Sequence, residues 1–301
     1  MNKFLKIVLV NIFIIIGIVL AAEFYCIVVT YKSLHWDNFK FHMHVENIIN
    51  SYISPSFFKD YDFRGNIYPE KPTNKAPIAM VGCSYTYGLG LDDNDVPAAM
   101  ISKETGRIVY NAGVNGGSPR EILYILRNDD LRSKLFDNRT DIEYVIYTYI
   151  SHHLYRLYKD IRPYTYSPYF RVKNSELEYY KPNSLIVKSY LYRKYTDLKY
   201  TEEDLSTING SHDLFFIYMK EINKEIKKHF PNAKFVIIVY DDLTQNDWDK
   251  IEKEGIKVIK VSDLSDKDFK SIEYRQSINN YHPKAIVWQI LIPKIVGILN
   301  L

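Results

Sequence analysis

The polar and apolar positions of this chain fall into two regimes that meet near residue 76. Beyond it, short apolar runs alternate with stretches of helical spacing. The runs at 78–81, 107–111, 144–150, 234–240 and 256–261 have the length and β-branched content of buried strands. Between them, 95–105, 118–129, 213–230 and 245–255 read as helices. The segment 283–299 reads as a last apolar helix, with a kink expected at Pro293. Gly106 closes one of these helices, and Ser118 followed by Pro119 opens another. Five strands alternating with helices predict an α/β fold, a mostly parallel sheet covered on both faces. Residues 151–210 break the alternation and read as an insertion, with one helix expected near 185–194.

Before residue 76 the pattern is different. Lys3 and Lys6 precede a run from Ile7 to Ala22 interrupted only by Asn11 and small residues. A bilayer core takes about 20 apolar residues, so this run predicts an N-terminal transmembrane helix from residue 4 to about 22 or 25. The positive end stays cytoplasmic and places the remainder outside the membrane. A cleaved signal peptide is the rival, with Ala21-Ala22 in its cleavage site. Apolar character continuing from Phe24 to Val29 favours the anchor. A lipoprotein signal fits poorly, because bulky Phe24-Tyr25 stands before Cys26. Residues 32–75 are irregular, aromatic and proline-ended, a membrane-proximal connector. The organisation expected is therefore anchor 1–31, connector 32–75 and α/β domain 76–301 carrying the insertion 151–210. The apolar residues of 286–296 imitate a second span, but Lys284, Gln289, Pro293 and Lys294 interrupt them.

Composition removes several functions. The net charge of +3 is spread over 301 residues, so no basic stripe points to nucleic acid. Two cysteines, Cys26 and Cys83, make no disulfide framework. His42 and His44 lack partnering cysteines or carboxylates, and no metal or cofactor is expected. The 27 tyrosines, dense between 144 and 200, suit a sugar-binding surface and equally reflect genomic base composition.

The chemistry concentrates at two distant places. Gly82-Cys83-Ser84 ends the first strand, and ligands of open α/β sheets sit beyond the carboxyl ends of the strands. Asn279-Asn280-Tyr281-His282-Pro283 precedes the last helix. Serine needs a base to become a nucleophile, and histidine is the usual one. Ser84 and His282 are the candidate pair. An oxyanion then needs aimed donors, and Asn111-Ala112-Gly113-Val114-Asn115-Gly116-Gly117 leaves the second strand at the same sheet edge. The bland alternatives are a serine that only caps a helix and glycines that only close a turn.

Gly-Cys-Ser after strand one, Asn-x-Gly-x-x-Gly after strand two and His-Pro before the last helix resemble the SGNH (GDSL-type) hydrolase superfamily over about 76–300, and also its membrane-anchored bacterial branch. The resemblance implies a flavodoxin-like three-layer fold of about five strands. It implies Ser84 as nucleophile, His282 as base, and the amides of Ser84 and Gly116 in the oxyanion hole, with Asn115 in support. Its members are esterases, lipases, carbohydrate deacetylases and O-acetyltransferases. This sequence departs from the pattern at three places. Cys83 stands where the family has Asp. Ser151, His152 and His153 stand where a Gly-x-Asn-Asp block is usual, so that either His152 donates to the oxyanion or the hole has lost a donor. Asn279, flanked by Asn280, stands where the family places the Asp that orients the histidine. Asp263, Asp266 and Glu273 are alternative carboxylates for that task.

The expected function is a membrane-anchored, extracytoplasmic serine esterase or O-acyl (acetyl) transferase. Its substrate would be an acylated glycan or another envelope polymer, and a membrane partner would deliver the acyl group in the transferase case. The alternative is a degenerate envelope protein that keeps the fold as a binding or scaffolding module.

Overall fold

In the computed structural model, residues 63–158, 169–173, 176–180, 210–240, 245–278 and 280–301 are described, with seven helical positions between 14 and 25. The chain divides into two units. One comprises 60–158, 167–180 and 204–301, and the other 1–59, 159–166 and 181–203. Nearly all of the second unit lies outside the described residues, as do most of the expected membrane helix, residues 32–62 of the connector and the helix expected near 185–194. Among the described residues no helix is long and apolar enough to cross a membrane.

Alternate residues of the central strands enter two different cores. β2 (Ile78–Gly82), β4 (Tyr144–Tyr149) and β7 (Lys234–Val239) are almost wholly buried. Ala79, Val81, Val145, Tyr147, Phe235 and Ile237 belong to one cluster. Ile78, Met80, Tyr144, Ile146, Val236 and Ile238 belong to the other. This is the period-two division of a sheet covered on both sides. Into the first core pack α3 (Pro119–Arg127), α6 (Ser211–His229) and α7 (Gln245–Lys253), through Ile122, Phe215, Tyr218 and Trp248. Into the second pack α2 (Pro97–Thr105) and α9 (Ala285–Leu299), through Ile101, Trp288 and Leu291. Removing an aliphatic or aromatic side chain of this size from water contributes about 1.5–3 kcal/mol.

β3 (Val109–Gly113) and β8 (Lys257–Lys260) complete five parallel strands in the spatial order β3-β2-β4-β7-β8. Counted along the chain this is 2-1-3-4-5, the order in which the winding direction reverses between the first and third strands. β2 lies at that reversal, and its register aligns Gly82 with Gly113 on one side and Thr148 on the other. The carboxyl ends of β2, β3 and β4 therefore reach one rim.

Two features of the fold depart from the expectation. The connector's end is ordered, because β1 (Gly65–Ile67) pairs antiparallel with β3 as an edge strand. The insertion contributes two elements to the α/β unit. These are α5 (His152–Tyr158) and the hairpin of β5 (Tyr169–Lys173) with β6 (Glu176–Tyr180). Phe170 meets the Tyr218 ring edge-on, and Arg127 donates to Leu177 O at 2.5 Å while pairing with Glu221 and Glu225, so the hairpin is tied to α3 and α6. The last helix starts at Ala285 and continues past Pro293 to Leu299.

Candidate active site

β2 ends at Gly82, and α1 (Ser84–Tyr87) begins directly afterwards, putting Ser84 in its first turn at 4% exposure. The base arrives on a separate device. β9 (Arg275–Ser277) and β10 (Asn280–Pro283) form an antiparallel hairpin ahead of α9. Tyr85 joins the two. Its hydroxyl donates to Tyr281 O at 2.9 Å, and its ring lies 5.4 Å from the His282 ring and edge-on to Tyr240. The result is a hydrogen bond of 2.7 Å between Ser84 Oγ and His282 Nε2.

The other ring nitrogen meets an amide. Asn280 Oδ1 lies 2.6 Å from His282 Nδ1 and also accepts from His282 N at 3.1 Å. An amide oxygen and an amide nitrogen are interchangeable in shape, so something must hold the oxygen toward the ring. Gln276 does so. Asn280 Nδ2 donates to Gln276 Oε1 at 2.8 Å, and Gln276 Nε2 donates to Leu89 O at 2.5 Å. The carbonyl of Leu89 can only accept, which fixes the orientation of Gln276, then of Asn280, then the tautomer of His282 with hydrogen on Nδ1. Nε2 is left to accept the Ser84 proton. The loop that carries Leu89 is itself fixed, since Arg64 donates to Gly88 O at 2.7 Å, to Leu91 O and to Asp93. Gly90 permits this arrangement. It has φ +80°, and a Cβ there would fall 2.2 Å from Gln276 Oε1.

The oxyanion side rests on the turn after β3. Val114 N donates to Gly82 O, and Gly117 lies so close to β2 that a Cβ would meet Gly82 O and Val114 O at 2.8 Å. That contact brings Gly116 to the end of the strand that presents Ser84. Among the described residues no acceptor takes the amide hydrogens of Ser84 or Gly116. Asn115 is exposed on the same turn. Ser118 caps α3 and Glu121 completes the capping box, accepting from Ser118 N at 2.8 Å and Oγ at 2.6 Å, which holds the far end of the turn.

The other described residues of the expectation lie elsewhere. His152 opens α5 and is exposed, and no contact joins it to Ser84 or His282. His153 is buried, bonded to the Tyr147 hydroxyl and stacked on that ring, so it packs the core beneath α5. Asn279 lies outside the described residues. Asp263, Asp266 and Glu273 form no pair with His282, whose Nδ1 is occupied by Asn280. Among the described residues no group of three or more His, Cys, Asp or Glu side chains is placed to hold a metal.

Two residues of the site carry no motif. One is Gln276. The other is Arg156 on α5, whose Nη1 donates to Gly117 O at 2.7 Å and whose guanidinium also reaches the Cys83 thiol. Arg156 follows His152 by four residues, one helical turn, and that spacing was the available signal. Burial first, and then the Arg156 cation, push the His282 imidazole from 6.5 down to about 4. Burial raises the Cys83 thiol, which remains protonated beside the serine.

No family model matches the chain, and no curated protein matches it. Solved structures do. An acetyl xylan esterase from the rumen bacterium Butyrivibrio proteoclasticus is 13% identical over 76% of this chain and 64% of its own, with a TM-score of 0.44. A carbohydrate esterase family 2 enzyme with a carbohydrate-binding domain, from Corynascus thermopiles (Myceliophthora fergusii), is 12% identical over 77% of this chain and 69% of its own, with a TM-score of 0.42. A protein described as lipolytic and of the G-D-S-L family, from Desulfitobacterium hafniense, is 12% identical over 75% of this chain and 99% of its own, also with a TM-score of 0.42. At this identity and these scores the likeness says nothing about activity, and the chemistry must come from the side chains.

Proposed function

We propose that the protein is a serine esterase of the SGNH type that works through an acyl-serine intermediate. The observation that carries this reading is the continuous line from Ser84 Oγ through His282 and Asn280 to Gln276, with each polar atom assigned a single donor or acceptor role. His282 Nε2 takes the Ser84 proton as Oγ bonds to the acyl carbon. The carbonyl electrons move to the oxygen, where the amides of Ser84 and Gly116 can meet the charge. The C–O bond to the alcohol breaks, and the imidazolium returns the proton to the departing oxygen. Water, or a sugar hydroxyl in a transferase, then gives its proton to Nε2 and attacks the acyl carbon; the bond from the acyl carbon to Oγ breaks, and the imidazolium returns the proton to Ser84.

The substrate in this reading is an O-acylated glycan or related envelope polymer. The apolar N-terminal run would hold the protein at the membrane. One specific observation favours a second reading, that of a binding module. A neutral amide replaces the usual carboxylate at Nδ1, and His152 adds no third donor. A serine-directed fluorophosphonate separates the two. The esterase reading expects covalent labelling of the wild type and none of Ser84→Ala; folded wild type that stays unlabelled would establish the binding module instead.

A further inference from the structure

The charges of the site do not balance for a neutral substrate. In a serine–histidine–carboxylate arrangement the carboxylate offsets the imidazolium that forms during attack. Here the group at Nδ1 is Asn280, which is neutral, and a guanidinium that cannot lose its proton stands on the other side. At the tetrahedral stage one oxyanion faces two cations, His282 and Arg156.

Arg156 is also short of partners. A guanidinium offers five N–H donors. Nη1 is engaged by Gly117 O, the guanidinium also reaches the neutral Cys83 thiol, Nε is buried without an acceptor, and no carboxylate among the described residues pairs with it. The groups around it do not supply the missing charge. Cys83 and Tyr147 are buried and remain protonated, His153 is buried and neutral, and His152 one turn earlier adds no negative charge. Glu121 on α3 is a buried carboxylate, but it turns to Ser118, whose two hydrogens it accepts, and does not pair with Arg156, so its charge acts only at a distance. On the His282 side, the packed neighbours are Tyr85, Ser84 and Asn280, all uncharged.

We propose that Arg156 selects esters whose alcohol carries a carboxylate or phosphate close to the acyl group. This rests on the serine esterase reading of the same site. The substrate's anion pairs with the guanidinium beside Gly117, one residue from the Gly116 amide, and restores the charge that the Asn280 amide leaves out. Bound there, it also relieves the repulsion between Arg156 and the imidazolium, so the substrate itself strengthens the base.

The test compares acetate release by the full-length chain from three substrates on one ring: O-acetylated glucose, glucuronate and glucose 6-phosphate. Charge-assisted pairing predicts kcat/KM about tenfold or more higher for at least one anionic ester than for the neutral one. Which anionic ester leads distinguishes carboxylate from phosphate recognition. Arg156→Gln brings the ratio toward one, Arg156→Lys keeps part of it, and added salt reduces it in the wild type. With the preferred anionic ester, the acid limb of kcat lies at higher pH than that of kcat/KM, a split that a purely structural arginine does not produce. Equal turnover of all three esters, or a preference that survives Arg156→Gln, overturns the proposal and leaves the esterase intact. Turnover of none removes both.

Discussion

At the scale of single residues the decisive feature is a neutral amide, that of Asn280, at Nδ1 of His282. An amide in that position costs a serine protease about 10⁴ in kcat when it permits the wrong tautomer. Here Gln276 removes that freedom, so the amide orients the imidazole but contributes no charge. The sign of the pH response follows. Folded His282 titrates near 4, below its ordinary 6.5. The neutral base is therefore present above that value, and kcat/KM should fall only as pH drops through about 4. The same displacement means that the unfolded chain binds the proton more readily, so this group's contribution to stability is complete above 6.5 and is lost as pH falls through the folded value. Asn280→Asp adds a negative charge beside Nδ1. It should move the acid limb of a pH–rate profile to higher pH, and a limb that stays in place would mean that residue 280 does not face the ring in solution.

At the scale of elements, the β9–β10 hairpin and the loop around Leu89 act as one part, joined by the Gln276 amide. Gln276→Ala frees Asn280 to turn its NH₂ toward His282. It should lower kcat by an amount between about tenfold and the roughly 10⁴ of a wrong tautomer, with KM little changed. Steady-state kinetics decide this, and Gln276→Glu, which can still accept from Asn280, should lose less. Elements of this kind separate what the sequence discloses from what it conceals. The central strands β2, β4 and β7 were legible because strands buried on both faces are apolar almost throughout. The three residues of β1 were not, since an edge strand pairs through its backbone and Gly65-Asn66-Ile67 has no pattern to display. The β5–β6 hairpin was hidden for a related reason, its alternation being spread over tyrosines and charges. Ser84 and His282 stood out because nucleophile and base require particular side chains. Gln276 and Arg156 did not, because the contacts they make, with an amide and with backbone carbonyls, can be made from many positions.

At the scale of the whole molecule, one sheet separates two apolar cores, and the turn that carries Ser84 leans on the one closed by α9. Trp288 is fully buried in that core, and Tyr144 reaches across to donate to Leu299 O at 2.8 Å. Trp288→Ala should cost about 3–5 kcal/mol, measured as a lowered midpoint in denaturant, while the core that holds Trp248 is untouched directly. Cys83 belongs to the same core as Trp288 and has no exposed surface. An alkylating reagent can reach it only while the packing around the end of β2 is open. In a Cys26→Ser background the rate of alkylation therefore becomes a clock for spontaneous opening of the domain, read one position from Ser84, and Trp288→Ala should make that clock run faster.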